Sequence, residues 1–448
     1  MNKTTRAFVR RAAPIVALPL LALAGCGSGG EGGAGAATES EAELMARARG
    51  IHERVITHDT HDDINPGNFT AETNYTQDLS TQVTLPKMEA GGLDVAWFVV
   101  YVGQGELTDE GFADAYDQAV AKFDAIHSLT EEIAPDRIQL ALDSDDVRRI
   151  NGEGKLVAMI GVENGYPVGM DVGRVREFAE RGARYMSLAH NGHSQLSDSN
   201  TGERDGVWLH DGLSDLGREV IAEMNRWGIM IDLSHPSKAA NLEIIELSRA
   251  PVMASHSSAR ALNDVSRNLD DEELAAIAAN GGVVQTVAFR SYLDSEKNAA
   301  NQEARRALEE EVAAEMGVEL LDRRTLYGMS PAEREAYTEA YAPVRDAVEA
   351  RIDEVNAVAP PVDVGDFVDH IDYLVETMGL EHVGISSDFD GGGGVHGWMD
   401  ASETFNVTLE LVRRGYTEEE IGMLWGGNLM RVLDEVQAVA AEMQAAGE

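Results

Sequence analysis

Seven side chains of metal-ligand and acid/base type stand where strand-like stretches of the sequence end: His61 and Asp63, Glu163, His190, His235, His256 and Asp388. His235 and His256 have the plainest context. Each closes a short β-like run, Ile229 to Leu233 and Val252 to Ala254, with an amphipathic helix between the runs. Such a β-α-β unit makes the two strands parallel neighbours, so both imidazoles emerge at one carboxyl edge. Imidazoles on rigid strand ends bind transition metals, and that edge is where parallel sheets carry their chemistry. His61 and Asp63 are two apart on an extended segment and point to the same side. With a carboxylate oxygen from Glu163 they make one ligand set. His235 and His256 make a second, and Glu163, having two oxygens, can bridge both. Nitrogen and oxygen donors without thiolate suit zinc first, then manganese, cobalt or iron. Two such ions about 3.5–4 Å apart generate a hydroxide at neutral pH and polarise a carbonyl or phosphoryl group. The residue chemistry alone specifies a two-metal hydrolase of a carbonyl or phosphoryl substrate.

Convergence of these residues requires a closed parallel sheet. The sequence predicts eight strands: Val55 to Asp59, Val95 to Val102, Leu156 to Val162, Ala183 to Ala189, Ile229 to Leu233, Val252 to Ala254, Gly282 to Ala288 and His382 to Ser387. Helical stretches separate them. Ser214 is placed to cap a helix over 215–227, with Gly228 ending it, and Asp270-x-x-Glu273 is a capping pattern. From Arg290 to about Pro361 the pattern becomes charged, alanine-rich helix, read as an insertion over the barrel rather than a separate domain. The tail from Thr417 to Met443 is helical with a break at Gly426-Gly427. Eight strands alternating with helices and one insertion predict an α/β fold of the (β/α)8 TIM-barrel type. No strand-to-helix turn carries a GxGxxG or P-loop pattern, which argues against nucleotide binding.

The first residues read as an address. Lys3, Arg6, Arg10 and Arg11 precede the apolar run Ala12 to Ala24, which is too short for a spanning helix, and Leu23-Ala24-Gly25-Cys26 closes it. This resembles a bacterial lipoprotein signal over residues 1–26 with Cys26 as the lipidated residue, followed by a Gly/Ser/Ala-rich tether over 27–39. Cys26 is the only cysteine, so the chain has no internal disulfide. The expected location is the bacterial cell envelope, with the protein held to a membrane by its lipid and facing away from the cytoplasm. One catalytic domain spans 40–448, a length that suits one barrel with insertions. The formal charge of -42 excludes nucleic acid as a natural partner, because no basic run offsets phosphate repulsion.

These residues lie in motifs that resemble the membrane dipeptidase (renal dipeptidase) family of metallopeptidases, peptidase family M19, among the amidohydrolase-like metal-dependent hydrolases. Asp59-Thr60-His61-Asp62-Asp63 is similar to that family's DGHxD, Gly161-Val162-Glu163 to its GxE, and Ser187 to Asn191 to its LTHN. Gly212 to Gly217 with Ile231 to His235 resembles GLTxFG…IDLSH, and Ser255 to Ser258 resembles SHSS. Arg267-Asn268, the GISSDFDG of Gly384 to Gly391, and Gly427 to Val432 complete the set. The resemblance implies a zinc dipeptidase that hydrolyses dipeptides to free amino acids through a metal-bridging hydroxide. Two zinc ions are implied, one on His61, Asp63 and Glu163, the other on Glu163, His235 and His256. It further implies that His190 stabilises the oxyanion, that Arg267 grips the substrate's terminal carboxylate, and that Asp388 moves the proton, with Asp390 as its rival. A homodimer is a further implication. Thr60 stands where the family commonly has glycine, and Asp62 adds a charge expected to face solvent. His193 lies where the family often has a polar residue. His58 and His210 are read as outer or surface residues. The alternatives are another binuclear amidohydrolase acting on an N-acyl amino acid, lactone or phosphoester, and an inactive peptide-binding lipoprotein.

Overall fold

The run Val95 to Tyr101, VAWFVVY, is buried along its length, as a strand covered on both faces must be. Its side chains divide by alternation. Val95 and Trp97 join an inner cluster with Val157, Met159, Tyr185, Met230, Met253 and Val283, while Ala96, Phe98 and Val100 pack outward under the helices. That division is what a barrel produces. The computed structural model describes residues 39–447, and from Glu41 onward they form one compact unit.

The described residues form nine parallel strands: β1 His58–Asp63, β2 Val95–Tyr101, β3 Ile138–Leu140, β4 Leu156–Glu163, β5 Ala183–Ser187, β6 Met230–Asp232, β7 Met253–Ser257, β8 Val283–Val287 and β9 Val383–Ser386. Eight of them run in the order β1-β2-β4-β5-β6-β7-β8-β9, and the ring closes where Asp63 N–H donates to Phe389 O at 2.9 Å. The expected TIM barrel is the observed fold. The expected count of eight strands omits β3, which pairs with the first three residues of β4, ahead of the stretch that β5 takes. Three residues are too short to carry a periodic signal. The frame of β1 also differs. It begins at His58 and includes His61 and Asp63, so these two lie within the strand and not beyond it. His256 likewise lies inside β7.

The predicted caps are present. Ser214 accepts from Gly217 N–H, Gly228 ends its helix at φ 69°, and Asp270 with Glu273 forms a full capping box. The carboxyl-terminal helix Asn428–Ala446 plugs the amino end of the barrel. Leu429, Leu433 and Val436 join the inner cluster, and Arg431 donates to the carbonyls of Gly281 and Glu381 just ahead of β8 and β9.

Between β8 and β9 the described residues of the insertion form helices and no strand, with long helices Ser295–Met316 and Pro331–Ala350. Leu308, Val312, Ala313, Val344, Val348 and Val355 give it a small core of its own. Only its root, Phe289 and Tyr292, lines the cavity at the barrel mouth. No helix among the described residues is long and apolar enough to cross a membrane. Cys26 and the lipoprotein signal lie outside the described residues.

Candidate metal centre

Glu163 ends β4 and stands at the centre of the site. Its Oε1 lies 3.0 Å from His235 Nε2 and 3.4 Å from His256 Nε2, and its Oε2 lies 3.5 Å from His61 Nε2. His61 Nε2 is in turn 4.0 Å from Asp63 Oδ2. His235 and His256 bring their Nε2 atoms within 3.1 Å of each other. Ligand-type atoms thus cluster in three overlapping groups, each within 4.8 Å: His61, Glu163 and His256; Glu163, His190 and His235; His61, Asp63 and Asp388. All seven predicted residues meet in one place. The clusters cut across the expected pairing, since His256 is as much a neighbour of His61, with ring centroids 3.8 Å apart, as of His235.

The local chain pays for this convergence in backbone conformation. His235 and Asp388 adopt left-handed φ values of 81° and 61°, rare for side chains of their size, and both follow a strand at the carboxyl edge. A Cβ on Gly161 would lie 2.0 Å from the Tyr185 ring, so glycine at this point of β4 lets Tyr185 cross the barrel interior. A Cβ on Gly391 would lie 2.1 Å from Asp388 Oδ1 and 2.5 Å from Asp63 Oδ2. Its absence lets those two carboxyl groups approach.

Two imidazoles are oriented by hydrogen bonds at their far nitrogens. His61 Nδ1 sits 3.0 Å from the Tyr185 hydroxyl, which donates its own hydrogen to Thr60 O at 3.0 Å. The hydroxyl must therefore accept from His61 Nδ1–H, which leaves the Nε2 lone pair facing the cavity. His256 Nδ1 meets Ser255 Oγ at 2.7 Å, and Ser255 Oγ donates to Asp232 Oδ2 at 2.6 Å. The same logic turns the His256 Nε2 lone pair inward. Burial lowers the pKa of His61, and drives those of His235 and His256 well down, so all three are neutral and ligand-competent at neutral pH. His61 Nε2 and Asp63 Oδ1 are buried with no hydrogen-bond partner. Converging lone pairs and orphaned acceptors fit a cation.

The carboxyl groups carry the complementary strain. Burial, then repulsion from Glu163, pushes Asp63 up to about 6, and burial also raises Glu163. Burial, then Asp63 and Glu163, pushes Asp388 well above the usual carboxyl range. Asp390 is committed elsewhere, because its carboxylate accepts from Gln82 N–H and Val83 N–H at 2.9 and 3.3 Å. Asp62 does not face solvent as expected. A register shift between Asp59 and Asp62 turns it inward at the barrel seam, where it is fully buried with neither oxygen hydrogen-bonded. Burial and the neighbouring Asp59 push it well up, favouring its neutral form.

His190 places Nε2 3.7 Å from Glu163 Oε1, and its Nδ1 faces the Tyr101 hydroxyl at 3.3 Å. Arg267 is buried. It donates to Ser257 Oγ and His256 O, both at 2.9 Å, and its guanidinium lies 5.6 Å from the Tyr292 ring centroid. It lines the two clefts that adjoin the cavity and share His235 or Tyr292 with it. Thr60 Oγ1 donates to Ser255 O at 2.8 Å, stitching β1 to β7. His58 is buried under Gly426, His193 pairs with Asp198 at 3.0 Å, and His210 pairs with Ser194 O at 2.9 Å; none joins the metal cluster. Sequence reasoning missed three side chains here: Tyr185, Tyr101 and Lys122. Only the spacing of Tyr185 on β5, opposite Gly161 on β4, offered a signal.

The cavity over these residues is about 530 Å³, room for a small peptide. The sequence model of membrane dipeptidases (peptidase family M19) matches residues 45–447. Among curated proteins, dipeptidase tcpJ of Claviceps purpurea is 29% identical over 374 residues, 82% of this chain and 72% of that one. Dipeptidase aclJ of Aspergillus oryzae is 28% identical over 375 residues, with the same coverage. Among solved structures, the probable dipeptidase PvdM from Pseudomonas aeruginosa superposes with a TM-score of 0.72 at 32% identity, covering 90% of this chain and all of that one. A metallo peptidase from Rhodobacter sphaeroides, liganded with a phosphinate mimic of the dipeptide L-Ala-D-Ala, shares the fold at a TM-score of 0.62 and 21% identity, covering 85% of this chain and 99% of that one.

Proposed function

Because this chain belongs to the membrane dipeptidase family, peptidase family M19, and is therefore a peptidase of the dipeptidase type, we propose that it works as a binuclear zinc dipeptidase, releasing free amino acids. The observation that carries this reading is the split allegiance of Glu163, one oxygen toward His61 and the other toward His235 and His256. His61 and Asp63 would hold one ion, His235 and His256 the other, and Glu163 both. A divalent metal bound by these residues would supply Lewis acidity for activating water and polarising the scissile carbonyl.

The remaining steps fall to the chain's own groups. With the Tyr101 hydroxyl as donor to His190 Nδ1, the Nε2–H of His190 would be a neutral donor beside Glu163, suited to an oxyanion. Asp388 takes the proton of the attacking water and returns it to the leaving amine. A carboxyl raised by burial and by two neighbouring carboxyls is a strong base once ionised. Arg267 keeps an unpartnered Nε–H for the substrate's terminal carboxylate.

A panel of dipeptides, including L-D pairs like the mimic seen in the Rhodobacter enzyme, tests the reading with and without a chelator. Cleavage that chelation abolishes and zinc restores is expected. A zinc-loaded protein that cleaves no dipeptide but hydrolyses N-acyl amino acids, lactones or phosphoesters would overturn it. We also carry forward the lipid anchor at Cys26 in a bacterial envelope and a homodimer as parts of this proposal. Loss of palmitate labelling in Cys26→Ser is the expected result for the anchor, and unchanged labelling would refute it.

A further inference from the structure

One cation stands on the wall of the metal cavity. Lys122, on the helix Asp109–Ser128, is the only lysine or arginine among the described residues that line it. Its ammonium lies 5.5 Å from the centroid of the Tyr101 ring, whose hydroxyl meets His190. Lys122, Tyr101 and His190 therefore form one side of the cavity, facing Glu163. Arg267, held by His256 O and Ser257 Oγ, lines the adjoining clefts instead.

Every other lysine with a described position has a close oxygen partner. Lys87 pairs with Asp400 at 3.2 Å, Lys238 with Asp270 at 2.5 Å, Lys297 with Asp366 at 2.5 Å, and Lys155 donates to Pro135 O at 3.1 Å. Lys122 has no such partner among the described residues, although it is half-buried in a chain whose acidic residues number 78 against 36 basic ones. The negative potential at its ammonium comes from Asp63 and Glu163, and both are committed to the metal reading. An ammonium withdrawn from water without a counter-charge is costly, and an incoming anion relieves that cost. A dipeptide brings only one main-chain carboxylate, which Arg267 is suited to take. Lys122, inside the cavity that Arg267 only adjoins, is a second cation and calls for a second anionic group.

We propose that Lys122 is a specificity residue that receives a substrate side-chain carboxylate, so that dipeptides containing aspartate or glutamate are preferred. This rests on the dipeptidase reading above. The test compares kcat/KM within two isosteric pairs, Ala-Glu against Ala-Gln and Glu-Ala against Gln-Ala, on zinc-loaded wild type, Lys122→Met and Lys122→Arg. Each ratio is internal to one enzyme, so it does not depend on the folded fraction. In wild type the acidic member of at least one pair is expected to lead by about tenfold. Lys122→Arg retains most of that ratio, and Lys122→Met brings it to about one through KM more than kcat. Ratios near one in wild type for both pairs, or a preference that Lys122→Met leaves intact, would overturn the assignment while the dipeptidase reading stands. If wild type cleaves neither member of either pair, nor any neutral dipeptide, the dipeptidase reading itself falls and this assignment with it.

Discussion

The helical insertion and the barrel mouth are both rich in charge, yet they use it in opposite ways. In the insertion, Arg306 meets Glu310, Arg351 meets Glu311 and Glu354, and Arg305 meets Glu349, all at 2.9–3.2 Å and all on the surface. Such exposed pairs are worth little and mainly solvate the helices. At the mouth, Asp62, Asp63, Glu163 and Asp388 are buried or nearly so, and among the described residues none has a lysine or arginine within ion-pair distance. The same residue types therefore mean different things. Charge that is exposed and paired is a surface, whereas charge that is buried and crowded by its own kind is waiting for a cation or a proton.

Asp388→Asn should sharpen this contrast most. It keeps the shape and removes the base, so kcat is expected to fall by about 10²- to 10⁴-fold with zinc content unchanged. A variant of undiminished kcat would return the proton-transfer role to another group. Ser255→Ala cuts the relay from Asp232 to His256 and should weaken zinc binding by about ten- to a hundredfold, read by competition with a chromogenic chelator. Unaltered affinity would show that the relay does not orient His256.

Zinc affinity should also depend on pH in a defined sense. Asp63, raised to about 6, is protonated below that pH and must release the proton to ligate. Affinity is expected to rise with pH through that value, and Glu163, also raised by burial, adds to the dependence in the same sense. Burial lowers His61 and drives His235 and His256 well down, so their protons compete less than those of ordinary histidines. A flat profile between pH 5 and 6 would contradict the ionisation assigned to Asp63. Leu308→Ala completes the contrast from the other region. It opens the insertion's small core and should cost about 2–4 kcal/mol in that segment, seen as earlier unfolding, with kcat/KM of the folded protein within about twofold of wild type. A large loss of activity would mean that the insertion shapes the site.

Much of this organisation is legible in the sequence, and the exceptions have physical causes. Strands covered on both faces announce themselves as apolar runs, as in Val95 to Tyr101 and Leu156 to Val162, and the helix caps at Ser214 and Asp270 are local chemistry. β1 is anticipated three residues early, because its own sequence HDTHDD is polar and the apolar lead-in from Val55 reads as the strand, whereas closure of the ring against Phe389 carries the pairing through Asp63. Asp62 reads as solvent-facing for the same reason. The locks on His61 and His256 divide sharply. Ser255 and Asp232 lie within the motifs that carry those histidines, whereas Tyr185 reaches His61 from another strand, across space left by Gly161. Lys122 looks like one more polar residue on an amphipathic helix. Its meaning lies in the partner it lacks, which no local pattern records.

The central claim is that Glu163 joins two metal positions into one catalytic unit. Zinc content and dipeptide hydrolysis, measured together on stripped and reconstituted wild type and Glu163→Ala, test it most directly. The account predicts two zinc ions per wild-type chain with activity following the second, and a variant that retains neither full loading nor measurable turnover. A Glu163→Ala protein that binds two ions and turns over at the wild-type rate would contradict it.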